Sequence, residues 1–564
     1  MTRIPLKSLA IPAVLAAAVC LSGWAWPAQT EPAGAPVRFE DVAQAAGLHF
    51  VLENHPTPQK HLIETMPGGV AAFDYDGDGL TDIYFTNGAA IPSLEKSEPK
   101  YSNRLFRNEG NLKFRDVTAE AGVAGAGYAM GVAAADYDND GHVDLFVAGV
   151  FRNILYRNRG DGRFEEVTAK AGIASDLWSV AAGWFDYDND GRLDLFVVNY
   201  AKWSPSFDRF CGDSARKIRV YCHPKWFDPL PNRLYRNRGD GTFEDVSAKA
   251  GISAHLGRGM SVAFADYDGD GWTDAFVTND KLPNFLFRNR GGQRFEETAL
   301  LAGVALPDHG SPVSSMGVHF QDYDNDGLPD LIVTALPGET FPLFRNAGKG
   351  QFIDATHASG LARLVTRLSG WGVGFADFNN DGWKDLFTAN SHVNDLVERF
   401  EASEYRQRNS LFLNSGQGRF LDASDAAGGP FQTKRAHRGA AFADFDNDGR
   451  MDVVVSSLGG RAELWRNISP SPHAWLRLTL RGTKSNRDGL GAVVRIGSQT
   501  NHMTSAVSYA SSSHAGVHFG LGNAEKVEKI EIRWPSGRVQ VLRDVPVNQV
   551  MHVTETAASV EDEK

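Results

Sequence analysis

Residues 131–147 read GVAAADYDNDGHVDLFV, and this one stretch holds the plan of the chain. Five small or apolar residues run into Asp136, the nine residues DYDNDGHVD follow, and Leu145 to Val147 resume an apolar run. Apolar runs on either side of a polar, glycine-bearing segment predict strand, tight loop, strand. The string D-[YF]-[DN]-[GN]-D-G-x-x-D occurs seven times, starting at Asp74, Asp136, Asp186, Asp266, Asp322, Asp377 and Asp444. The starts lie 50 to 80 residues apart, which marks a repeat architecture built from one supersecondary unit.

Two further elements travel with the loop. LFRN or a close variant begins at Leu105, Leu155, Leu234, Leu286, Leu343, Leu411 and Leu464. A third strand-like element begins at Phe114, Phe164, Phe243, Phe295, Phe352 and Phe420, so the last repeat lacks it. The missing copy stands at the start of the chain, where Phe39, Glu40, Asp41 and Val42 match Phe114 to Val117. A ring of sheets has no free edge if the first segment completes the last sheet. An open solenoid would need capping repeats and has no use for the displaced strand. The fold class is therefore all-β: a seven-bladed β-propeller over 37–467, closed by a strand within 37–46. Alternating patterns at Trp475 to Leu480, Ala492 to Ile496, Val527 to Ile532 and Val539 to Val545 predict a small all-β, sandwich-like domain over 473–556. Pro470 and Pro472 read as a short hinge before it, and 557–564 as a flexible tail.

Oxygen-bearing side chains at loop positions 1, 3, 5 and 9, with Gly at 6, converge on one point suited to a hard divalent cation. The expected ligands are Asp74, Asp76, Asp78 and Asp82; Asp136, Asp138, Asp140 and Asp144; Asp186, Asp188, Asp190 and Asp194; and Asp266, Asp268, Asp270 and Asp274. The remaining sets are Asp322, Asp324, Asp326 and Asp330; Asp377, Asn379, Asp381 and Asp385; and Asp444, Asp446, Asp448 and Asp452. Position 4 is Gly or Asn in every copy, the residue types that accept a positive φ. Ca²⁺, up to seven ions and one per blade, is the expected cofactor. Mg²⁺ keeps more waters, and transition metals want His or Cys, which no loop supplies. An EF-hand needs Glu at position 12, where this chain has Phe85, Val147, Val197, Val277, Val333, Thr388 and Val455. Asn379 drops one charge, so the sixth site is expected to be the weakest.

The chain has 564 residues and a net charge of −12, but 27 of its 69 acidic residues sit in the loops, leaving fewer acids elsewhere than the 57 bases. Bulk charge therefore supports no nucleic-acid partner. Arg3 and Lys7 precede an apolar run from Leu9 to Trp26 with small residues at its end, the layout of a signal peptide over 1–28. An uncleaved anchor is the alternative; cleavage would leave no membrane span. After cleavage only Cys211 and Cys222 remain, and export with that proximity predicts a disulfide, two free thiols being the alternative.

No G-x-S-x-G, P-loop, H-E-x-x-H or CxxC is present, and His255, His319, His437, His514 and His518 form no ligand spacing. No catalytic or cofactor-binding residue is assigned. Trp178, Arg258, Met316, Trp371 and Arg438 precede innermost strands and read as channel filling, or as a place to hold an acidic sugar. The insertion from Tyr200 to Pro231 carries Trp203, Phe207, Phe210, Tyr221, Trp226 and Phe227, which suit either recognition or packing on its own blade.

The loop signature, matched from Asp74 to Asp452, resembles the FG-GAP or VCBS repeats of integrin-like β-propellers. Gly489 to Ala492, His518 to Gly522 and Arg533 to Gly537 resemble the ASPIC/UnbV domain, and the combination resembles the cartilage acidic protein 1 family in its bacterial form. The resemblance implies an exported calcium-binding propeller and no reaction. The leading expectation is a non-enzymatic protein- or glycan-binding or adhesion module, secreted, periplasmic or at the cell surface. The alternatives are a calcium-dependent, lyase-like polysaccharide enzyme working over the axis, and an envelope assembly scaffold.

Overall fold

The computed structural model describes residues 37–470 and 472–556. The signal-peptide expectation for 1–28 and the tail at 557–564 lie outside them. Six four-stranded antiparallel blades follow one another, and the first strands of each pair are joined by the aspartate loop: Ala135 pairs with Asp144 at the mouth of the second loop. Blade 1 comprises Val70–Phe73, Asp82–Phe85, Arg104–Asn108 and Phe114–Asp116. In the seventh, His437–Ala443, Asp452–Ser457 and Glu463–Asn467 take Phe39–Asp41 as their outer strand, with Phe39 opposite Asn467.

Burial falls with distance from the axis. Innermost strands such as Tyr128–Ala135 are buried at every position, whereas outer strands such as Phe114–Asp116 bury one residue in three. Near the axis the blades converge so closely that some positions admit no side chain: a Cβ on Gly131 would lie 2.3 Å from the carbonyl oxygen of Val180 in the next blade.

The Asn of each LFRN element closes the ring. Asn158 Nδ2 donates to the carbonyl of Tyr75 in the preceding blade, and Asn237, Asn289, Asn346, Asn414 and Asn467 repeat the contact on Tyr137, Tyr187, Tyr267, Tyr323 and Phe378. Asn108 donates to Phe445 at 2.9 Å, joining blade 1 to blade 7.

The C-terminal part has two sheets. Ala474–Arg481 lies between Val517–Gly522 and Gln549–Thr554, and the other sheet runs Gln499–His502, Val493–Ile496, Lys526–Arg533, Val539–Pro546. Leu476, Val494, Phe519, Ile530 and Trp534 fill its core, which is continuous with Ala133, Tyr137 and Trp184 of blades 2 and 3. Between the sheets, residues 503–516 leave this part and fill the propeller axis. Innermost strands present unpaired N–H groups to the axis, and buried donors need partners. The segment supplies them: Val373, Val70, Ala134 and Phe442 donate N–H to the hydroxyls of Ser508, Ser511, Ser512 and Ser513, while Val132 donates to Ala510 O. Ser512–His514 also pairs in parallel with Val70–Phe73. The channel is thus plugged by the C-terminal part. Pro470 and Pro472 do not separate two independent bodies.

Candidate metal centre

Each aspartate loop is wound by its own carboxylates. The position-1 Asp accepts the N–H of the position-6 Gly in all seven copies, from Gly79 to Asp74 at 2.8 Å through Gly449 to Asp444 at 2.9 Å. That turn needs φ of 84–98° at Gly79, Gly141, Gly191, Gly271, Gly327, Gly382 and Gly449, which glycine adopts at no steric cost. Position 4 is also left-handed, at 54–77°, as the Gly and Asn residues there imply. The position-9 Asp anchors the loop to the sheet: Asp82 accepts N–H from Tyr75 at 2.8 Å and Asn108 at 2.7 Å, and every blade repeats the pair.

This winding draws carboxylates together. One oxygen from each of Asp74, Asp76 and Asp78 lies within 4.8 Å of the others, and the same holds for Asp136, Asp138 and Asp144; Asp186, Asp188 and Asp194; Asp266, Asp268 and Asp274; and Asp322, Asp324 and Asp330. Burial pushes the carboxyls of Asp82 and Asp377 up to about 8 and those of Asp136 and Asp186 up to about 7, with neighbouring carboxylates adding to the rise.

The Arg of LFRN holds the outer side of the site. Arg157 Nε lies 2.6 Å from Asp138 and Nη2 2.9 Å from Asp140, and Arg107, Arg236, Arg288, Arg345 and Arg466 span positions 3 and 5 in their blades. It takes one oxygen of the position-3 carboxylate. Oδ1 of Asp76, Asp188, Asp324 and Asp446 remains buried without a hydrogen-bond partner. An oxygen-only donor set with such orphaned atoms fits a hard divalent cation and offers nothing to a soft one.

The sixth loop differs in two places at once. Leu413 replaces the Arg, and Asn379 replaces the Asp it would have faced; Asn379 Nδ2 donates to Asp381 at 2.9 Å instead. One negative and one positive charge are lost together in this blade.

The C-terminal part sits on this rim. Arg487, Arg533 and Arg477 approach the position-1 carboxylates Asp136, Asp266 and Asp444 at 3.6, 3.4 and 3.8 Å, and Asp136 N–H donates to Asp488 at 2.8 Å.

At the other rim, Cys211 and Cys222 are disulfide-bonded, with Cα atoms 5.3 Å apart. The insertion's aromatics divide. Trp203 and Phe227 are buried, Trp203 stacking with Phe151, while Phe210 and Trp226 are 45 and 44 % exposed. Arg438, an axial candidate, is fully buried; it donates to Thr65 O at 2.6 Å and its guanidinium lies 4.0 Å over the Trp371 ring. His437 is committed to Glu463 at 2.8 Å. The Asn, the Arg and the plug serines are the working residues that sequence reasoning left without a role, although the sevenfold LFRN repeat signalled the first two.

Among known proteins, mouse (Mus musculus) cartilage acidic protein 1 is 26 % identical over 514 residues, covering 88 % of this chain and 65 % of that protein. The human (Homo sapiens) protein is 26 % identical over 534 residues, covering 91 % and 67 %. The chain thus spans about two thirds of these relatives' length. A solved Agrocybe aegerita lectin aligns with a TM-score of 0.38 and 16 % identity, over 70 % of this chain and 87 % of that one. Bacillus licheniformis rhamnogalacturonan lyase aligns at 0.35 and 13 %, over 71 % of each. Likeness at that level says nothing of ligand or reaction. The FG-GAP-like repeat family matches residues 74–147, 148–197, 226–277, 266–333, 322–388 and 394–455, and the ASPIC and UnbV family matches 482–560. The chain belongs to the FG-GAP-like repeat family and carries an ASPIC and UnbV domain at its C-terminal end.

Proposed function

We propose that this chain is an exported, calcium-binding β-propeller that serves as a protein- or glycan-binding module. The observation that carries the calcium reading is the repeated inward carboxylate oxygen, buried and unbonded at position 3 of four loops. Positions 1, 3, 5 and 9 of each loop would hold the ion, and a bound Ca²⁺ supplies the positive charge that lets these acids stay ionised together. In six blades the chain's own Arg fixes the outer oxygens, and in all seven a buried Asn fixes the blade, so the loops read as scaffolding of the ring. A reaction would single out one blade, whereas these loops are alike. Binding then falls to surfaces that differ between repeats, foremost the insertion with exposed Phe210 and Trp226.

Native mass spectrometry of the mature chain, with pull-down from its own compartment with and without chelator, tests both parts. Uptake of several calcium ions and chelator-sensitive capture of a partner are expected. A mass unchanged at millimolar calcium overturns the calcium reading. Capture that ignores a variant carrying Phe210→Ala and Trp226→Ala overturns the role of the insertion.

A further inference from the structure

Innermost strands run from the insertion rim to the aspartate rim, so Met260 and Asp266 mark opposite ends of one of them. At the insertion end a cavity of about 230 Å³ lies beside the axis. Leu62, Met66, Met260, Met316 and Leu336 give it an apolar wall. Cys222 lines it too, so the disulfide ties the insertion to its edge.

Two carboxylates line this cavity, Asp280 and Glu401, and Asp280 stands beside Tyr200. Asp280 Oδ2 accepts the Tyr200 hydroxyl at 2.7 Å, and the Ser314 hydroxyl faces the same carboxylate. A buried carboxylate is costly unless a cation or several donors face it. No ion pair to Asp280 forms among the described residues. Its neighbour Lys281 is taken by Glu339, and burial holds the pKa of His223, on the same wall, below the ordinary range. Burial pushes Asp280 up to about 6, which leaves it mostly ionised at neutral pH.

We propose that this cavity binds an aliphatic ammonium group, its charge beside the Asp280 carboxylate and its alkyl stem against the methionine and leucine wall. Thioethers and methyl groups adapt to a flexible chain, and one fixed carboxylate orients it. An anionic ligand would meet Asp280 and Glu401 across the same space, and a neutral one would leave Asp280 without a counter-charge. The shared chemistry has two sources, a free alkylamine or a lysine side chain presented by a partner protein. The site deepens the binding-module reading and rests on it.

Calorimetric titration of the full mature chain in calcium decides the matter. The probes are n-hexylamine, Nα-acetyl-lysine methylamide, hexan-1-ol and hexanoate. Saturable binding of the amines, with none for the alcohol or the acid, is expected, and Asp280→Asn should weaken it about tenfold or more. Leu336→Trp, which fills the cavity from its more exposed wall, should abolish it. Tighter binding of the lysine amide identifies a protein lysine as the source, and binding of hexylamine alone identifies a free amine. Equal affinity for hexan-1-ol, or no saturation by either amine, overturns the proposal on the wild-type chain whether or not the variants fold. If chelator-sensitive capture of a partner persists while both amines fail, this site alone is lost; loss of both sinks the binding-module reading as well.

Discussion

Glu555 shows how much one side chain can organise at the end of the chain. It is 2 % exposed, and its Oε2 accepts N–H from Thr483 at 2.8 Å, Lys484 at 2.8 Å and Ser485 at 2.9 Å. Burial alone would raise its pKa, but the Ser536 hydroxyl and those three N–H groups together hold the carboxyl down to about 2. A folded-state value below the ordinary 4.5 means that the ionised form stabilises the fold; that contribution is complete above 4.5 and is lost as the pH falls toward 2. Glu555→Gln should therefore cost about 2 kcal/mol at neutral pH, the scale of hydrogen bonds to a charged group. Urea unfolding of both proteins across this pH range checks it: the gap should narrow below about 4.5. A gap that is constant with pH would show that the charge is not what the loop recognises.

At the scale of elements, what was legible in the sequence was local. The strand, loop, strand unit could be read because its apolar runs and its carboxylates stand within one short stretch, and the same pattern recurs. Phe39–Asp41 repeats the pattern of Phe114–Asp116, and the structure pairs it with Glu463–Asn467. The metal-suited grouping was legible for the same reason, since four ligand positions fall within nine residues. The joint change at Leu413 and Asn379 was not, because the positions they occupy come together only in the fold, as Arg157 and Asp138 do in the second blade. The axial plug was hidden more deeply. Ser508, Ser511, Ser512 and Ser513 read as an ordinary polar loop, and their partners lie on strands from residue 70 to residue 442. Each hydroxyl satisfies a donor that would otherwise be buried and unpaired. Replacing Ser511, Ser512 and Ser513 with Ala together leaves Val70, Ala134 and Phe442 N–H without an acceptor, at about 1–3 kcal/mol each. Scanning calorimetry should show a clear fall in melting temperature with a single transition, because propeller and plug unfold together. Two transitions, with the upper one unmoved, would mean that the propeller stands without its plug.

For the whole molecule the open question is what seven similar sites are for. Each loop joins the two inner strands of its own blade, and Arg487, Arg533 and Arg477 bring the C-terminal part onto three of them. Without an ion, several carboxylates are held within a few ångströms, and their repulsion acts on the strand pair and on the docked rim alike. On the calcium reading proposed above, the unfolded chain cannot assemble the site, so ion affinity becomes folding stability. At free calcium 100 times the dissociation constant one site contributes about 2.7 kcal/mol, and a few such sites match the whole stability of an ordinary domain. Chelation should therefore lower the melting temperature strongly and expose the linker between propeller and C-terminal part to protease, and added calcium should reverse both. Asp138→Ala, Asp268→Ala and Asp446→Ala remove the position-3 ligand in three separate blades, each facing its own Arg157, Arg288 or Arg466. If the ions serve the ring as a whole, the three variants lower the melting temperature by comparable amounts. A site built for one task would behave otherwise: a single variant would lose partner binding while melting stayed unchanged in all three, and the calcium would then be a local functional ion.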